Sequence, residues 1–145
     1  ISDSAISAIN IQNNSFLISD QFKKLFYLVK GDILWEYQAP EILSLLNGVK
    51  STELNLTFAS TRTDNGSKLF LLNSENGSLI FNSNSKNSIR TTSSNENMLL
   101  LGMDNGKILI LEMDLLLRRL NQKNGDEEID EGRKKMLERL RKLRK

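Results

Sequence analysis

The chain contains no cysteine and no histidine. Those two absences exclude thiol nucleophiles, Ser-His-Asp triads, imidazole acid–base catalysis, and zinc or haem sites built on thiolate or imidazole ligands. They leave the redox compartment open, because disulfides can neither form nor be avoided. Long apolar runs are missing too: none approaches the roughly 20 residues that a bilayer-crossing helix requires, so no membrane partner is expected. An initiator methionine and a signal-like apolar stretch are also absent from the opening ISDSAISAIN. This start reads as a piece of something longer.

Asparagine and serine are abundant instead. There are 16 Asn and only one Pro in 145 residues, a composition that suits a protein of many polar turns. The net charge of +2 conceals a division. Residues 1–125 balance 12 basic against 12 acidic side chains, residues 126–132 (DEEIDEG) hold five acids, and residues 133–145 (RKKMLERLRKLRK) hold eight bases and one acid. The C-terminal stretch is therefore a separate physical object.

Between Asp64 and Phe81 the chain reads DNGSKLFLLNSENGSLIF, two Asn-Gly dipeptides around an apolar run. Asn and Gly accept the positive φ of tight hairpin turns, so each dipeptide reverses one strand into the next. Upstream, LNLTFAS alternates Leu54, Leu56 and Phe58 with Asn55, Thr57 and Ala59. Three antiparallel strands follow, near 54–62, 67–73 and 78–83. The signature recurs in NMLLLGMDNGKILILEM (97–113) and, with its turn glycine lost, in FLISDQFKKLFYLV (16–29), where Asp20 stands before Lys-Leu-Phe. Lys24, Lys68 and Lys107 mark equivalent places, at spacings of 44 and 39 residues. A period of about 40–45 residues is that of four-stranded propeller blades.

The other strands fit that register. ISAINIQ, SFLISD, KLFYLV and DILWEYQ complete a first unit, with Lys30-Gly31-Asp32 as its last turn. SIRTTSS, MLLLGM and KILILEM form a third, whose fourth strand is missing because the chain runs directly into DLLLRRLNQKNG. The expected fold is all-β: about three β-propeller blades over residues 1–114, then a C-terminal helix. A small β-sandwich or other meander is the structural rival. Trp35 and Tyr37, at alternate positions of one strand, are expected in blade-to-blade packing.

FASTRTDNGSKLFLLNSENGSLIF and MLLLGMDNGKILILEMD resemble the WD-repeat family of β-propellers, over residues 6 to 114. Two hallmarks of that family are altered: no Gly-His dipeptide occurs, and the Trp-Asp pair is replaced by Leu72-Asn73 and Leu111-Glu112. DILWEYQ is also similar to blades of quinoprotein-type propellers. The resemblance implies a non-enzymatic scaffold without cofactor or metal, whose partners are other protein subunits of a larger complex. Three blades cannot close a ring of the usual four to eight, which implies further blades.

Residues 115–132 read as a linker with an acidic stretch, and residues 133–145 as a basic amphipathic tail, with helix over 126–144. Acids at the start and bases at the end suit the helix dipole. Ile129, Met136, Leu140 and Leu143 share one face, with Leu137 beside them, a stripe that fits one partner groove or a modest coiled-coil seam. Arg133, Lys134, Lys135, Arg139, Arg141, Lys142, Arg144 and Lys145 form a second candidate site, for RNA phosphates. A merely solvated helix, whose bases simply follow an acidic stretch, is the plainest reading of the tail. The tail lacks aromatics for base stacking and for a membrane-surface helix. Its basic character points to a nuclear or nucleolar assembly such as a ribosome-building particle, with a cytoplasmic location otherwise. Asp64 and Glu75 have the spacing of a calcium loop, but Gly66 and Lys68 occupy places where oxygen ligands belong.

Overall fold

In the computed structural model, which describes residues 4–143, the chain divides into two compact units that meet at Met113/Asp114. The first is a series of antiparallel meanders. Strands β1 (Ile6–Gln12), β2 (Ser15–Asp20), β3 (Lys24–Val29) and β4 (Asp32–Gln38) form one sheet. A second contains β5 (Leu43–Lys50), β6 (Asn55–Thr61), β7 (Ser67–Asn73) and β8 (Leu79–Ser85). The third has three strands, β9 (Ile89–Asn95), β10 (Met98–Met103) and β11 (Ile108–Glu112), so β11 is left as an outer edge. The first strands of the three sheets, β1, β5 and β9, lie side by side. Radially stacked propeller blades have this arrangement, and the sandwich alternative is set aside.

The turns behave as their residues dictate. Gly66, Gly77 and Gly106, each following an Asn, have positive φ, and Lys30-Gly31 reverses β3 into β4 with φ of 53° and 95°. Where the first blade lost its glycine, Lys23 takes the left-handed conformation itself, at φ 67°. Register confirms that the three lysines are equivalent. Each immediately precedes the first residue of its strand to pair inward: Leu25 with Ser19, Leu69 with Ser60, Ile108 with Gly102.

The aspartates of the repeat do not share one role in that turn. The backbone N–H of Lys24 donates to Asp20 Oδ1 at 3.0 Å, and in the second blade the N–H of Lys68 donates to the hydroxyl of Thr61 at 3.1 Å. Asp20 and Thr61 both follow the last paired residue of the preceding strand, and both are 1% exposed. Asp64 and Asp104 are exposed turn residues instead, and Lys107 uses Asn105 Oδ1.

The middle blade is buried on both faces. Ala59, Phe70 and Leu72 join Leu17, Leu25 and Trp35 of the first blade in one apolar core, with Leu43 and Leu46 of β5. On the opposite face, by strand alternation, lie the buried Leu56, Phe58, Leu69 and Leu71, toward the side that carries Leu99 and Leu101. Trp35 donates its indole N–H to the Ser74 carbonyl at 2.8 Å and stacks on Tyr27, with ring centroids 5.3 Å apart. Tyr37 tilts against Phe70 at 6.3 Å. Both aromatics thus pack blade to blade.

Two elements depart from the sequence reading. Strand β5 has no counterpart in the predicted set, and it contains a further Asn-Gly pair, Asn47-Gly48. Here the pair lies within the strand: Asn47 is 8% exposed and bonds Thr92 and Ser94, and a Cβ on Gly48 would fall 2.0 Å from the Gln12 side chain. The second correction concerns the C-terminal segment. Helix α1 runs unbroken from Met113 to Leu143, so residues 115–132 are helical rather than a linker. No β-branched residue occurs between Met113 and Glu128, and the Leu/Arg/Lys/Gln/Glu-rich sequence has high helix propensity. The acids therefore lie in mid-helix, outside the reach of the N-terminal dipole; only Asp114 occupies the first turn.

Candidate functional site

The strongest concentration of exposed apolar and charged side chains is the C-terminal half of α1. Ile129, Met136, Leu137 and Leu140 are 61%, 66%, 57% and 53% exposed. At 3.6 residues per turn, Ile129, Met136 and Leu140 fall within a narrow stripe, with Leu137 on its flank. Such exposure of four large apolar side chains on one helix is costly in water unless a partner covers them. Leu143 is the last residue of the helix, while Arg144 and Lys145 lie outside the described residues.

Around the stripe the charges form two blocks. Asp126, Glu127, Glu128, Asp130 and Glu131 precede Gly132; Arg133, Lys134, Lys135, Arg139, Arg141 and Lys142 follow it, and all are exposed. Lys134 reaches Asp130 one turn back, at 3.6 Å. That surface pair is worth about 0.3–0.5 kcal/mol, too little to hold either side chain from a partner. The basic residues predicted as a phosphate surface are brought together along one rod, but around its circumference rather than on a single face.

The blades contribute three further surfaces, none singled out by the sequence. One is a cleft of about 730 Å³ at the ends of the inner strands, lined by Asn10, Gln12, Asn14, Asn47, Lys50 and Ser94 among others. The Ser94 hydroxyl donates to the Gly48 carbonyl at 2.7 Å, fixing β9 against β5 at its rim. Amides of Asn10, Gln12, Asn14 and Asn47 share the lining with apolar Ile11, Val29, Val49 and Leu56 and with the charged Lys50 and Glu96. The abundance of Asn at strand ends was its only signal in the sequence. The other two are apolar faces: Ile9 and Ile11 on the first blade, and Met98, Ile108 and Ile110 on the third, are 41% to 69% exposed.

Among the described residues, no cluster of acidic side chains could hold a metal ion, and no helix is long and apolar enough to cross a membrane. Burial pushes the hydroxyl of Tyr37 above the ordinary value of 10.0. That shift belongs to a packing residue between blades.

No protein-family model and no curated protein matches the chain. Among solved structures it is similar to BamB from Moraxella catarrhalis, at 15% identity and a TM-score of 0.61, over 77% of this chain and 35% of that one. It is also similar to the WD40 β-propeller domain of Doa1, at 13% identity and a TM-score of 0.57, over 75% of this chain and 36% of that one. At these identities the likeness is one of fold. The chain has the fold of β-propeller blades and spans about a third of the length of these two structures.

Proposed function

We propose that this chain is a non-enzymatic, protein-interacting scaffold, in which propeller blades form a rigid body and α1 fastens it to other subunits of a larger assembly. The observation that carries this reading is the exposed stripe of Ile129, Met136, Leu137 and Leu140 on a helix whose flanks are heavily charged. A propeller suits such a role because its blades present many loops and edges on a stiff frame. The apolar faces at Ile9/Ile11 and Ile108/Ile110 fit further blades. Deleting residues 126–145 and comparing co-purified subunits tests the fastening role. Loss of those subunits is the expected result, and unchanged recovery would refute it.

The exposed basic block supports a second reading, in which Arg133, Lys134, Lys135, Arg139, Arg141 and Lys142 contact RNA phosphates. Four or five such contacts give a log–log salt slope of about −3 for a single strand. A flat salt response in an RNA-binding titration would refute this alternative. Either reading is compatible with a nuclear or nucleolar, ribosome-building setting. Imaging a tagged chain, with and without charge reversal of residues 133–142, tests that location.

A further inference from the structure

Helix α1 carries opposite charges in succession on one unbroken rod, with acids over 126–131 and bases from 133 onward. Two such helices aligned in parallel and in register would set like charge against like. Reversing one of them sets unlike against unlike, twice over. We propose that α1 pairs antiparallel with the same helix of a second copy of this chain, an assignment that rests on reading α1 as a fastening element.

The apolar residues specify a register. If Ile129 lies opposite Leu140 of the second copy, symmetry places Leu140 opposite the second Ile129, and two desolvated layers form. In the same register Met136 stands level with Arg133 of the second copy, whose alkyl stem can cover it. Glu128 and Asp130, on the two flanks of the stripe, then come beside Arg139 and Arg141 of the second copy, and the reciprocal set repeats across the two-fold axis. The cost is two like-charge levels, Lys134 with Lys135 and Glu131 with Glu138 of the second copy, and Lys134 already has Asp130 of its own helix at 3.6 Å. A partner of one charge sign would satisfy only half of the rod. Self-complementary surfaces are what a two-fold dimer requires.

The absence of cysteine makes the test clean. In the full chain, Ile129→Cys and Leu140→Cys are prepared singly, mixed and oxidised. The mixture is expected to give at least about tenfold more disulfide-linked dimer than either variant alone, because only opposed positions bring Cα atoms within bridging range. Sedimentation of the unmodified chain should show a dimer whose association weakens about tenfold or more as salt shortens the Debye length from roughly 10 Å at 0.1 M to 3 Å at 1 M. The triple reversals Glu127→Lys/Glu128→Lys/Asp130→Lys and Arg139→Glu/Arg141→Glu/Lys142→Glu should each be monomeric. Mixing them should restore association, which also shows that both variants fold. A monomer at every concentration, efficient cross-linking of Ile129→Cys with itself, or mass gained only on adding RNA would overturn the proposal. A monomer that still loses its co-purified subunits when residues 126–145 are deleted would overturn self-pairing alone and leave the fastening role standing.

Discussion

Trp35 is the residue whose removal should most weaken the union of the first two blades. It is 7% exposed, stacks on Tyr27 at 5.3 Å and an interplanar angle of 21°, and donates to the Ser74 carbonyl at 2.8 Å. Trp35→Phe keeps most of the apolar contact but deprives a buried carbonyl of its donor, at about 1–3 kcal/mol. Trp35→Ala adds the cavity, for a total of about 4–5 kcal/mol, a large share of the 5–15 kcal/mol that holds a typical domain. Gly77 provides the internal control. It has φ +72°, and a Cβ there would sit 2.7 Å from Trp35 Cδ2. Gly77→Ala therefore combines about 1–2 kcal/mol of left-handed strain with a clash against the indole, and only the strain should persist once the ring is gone. Urea unfolding followed by far-UV circular dichroism, for both single variants and the double, should show a coupling of about 1–2 kcal/mol. Additivity within about 0.5 kcal/mol, or a Trp35→Phe variant as stable as the parent, would refute this account of the blade interface.

Three further outcomes are expected. Asp20→Ala removes the buried acceptor for the Lys24 amide and should cost about 1–3 kcal/mol, while Asp20→Asn should cost less; thermal unfolding of the pair checks this. Gly132→Ala should favour the helix by about 1 kcal/mol and raise ellipticity at the helical minimum, because a Cβ there meets nothing within 4 Å. Burial favours the neutral phenol of Tyr37 in the folded chain. Its contribution to stability is thus intact below the unfolded value near 10.0 and is lost as pH rises through the higher folded value. Tyr37→Phe should flatten that alkaline decline in a series of denaturant midpoints.

Strand–turn punctuation makes the blades legible in the sequence, because Asn-Gly at 65–66, 76–77 and 105–106 is used for its positive φ each time. The same dipeptide concealed β5, where Asn47 is recruited by its side chain and Gly48 by its lack of one. Local sequence cannot separate those uses, since the deciding neighbours, Thr92, Ser94 and Gln12, lie on other blades. The turn cap shows the same limit. Asp20 and Thr61 perform one task with different chemistry, and only strand register aligns them. In α1 the charge blocks and the apolar stripe were readable from composition and spacing. The start of the helix was not, because a strand and a helix compete for the leucines after Glu112, and that contest is settled by the missing β-branched residues downstream.

The strand pairing described above joins only sequence neighbours, and this bears on how the protein assembles. Each meander closes through a few residues, so its formation involves little loop entropy. What remains non-local is blade against blade, through contacts such as Trp35 with Ser74, Asn47 with Ser94, and Ile89 with Ser67. Assembly is then one-dimensional, each unit stabilised by its neighbours as in a linear array. Amide hydrogens of β6 and β7, enclosed on both sides, should exchange with solvent most slowly, and those of β11, at a bare rim, among the fastest.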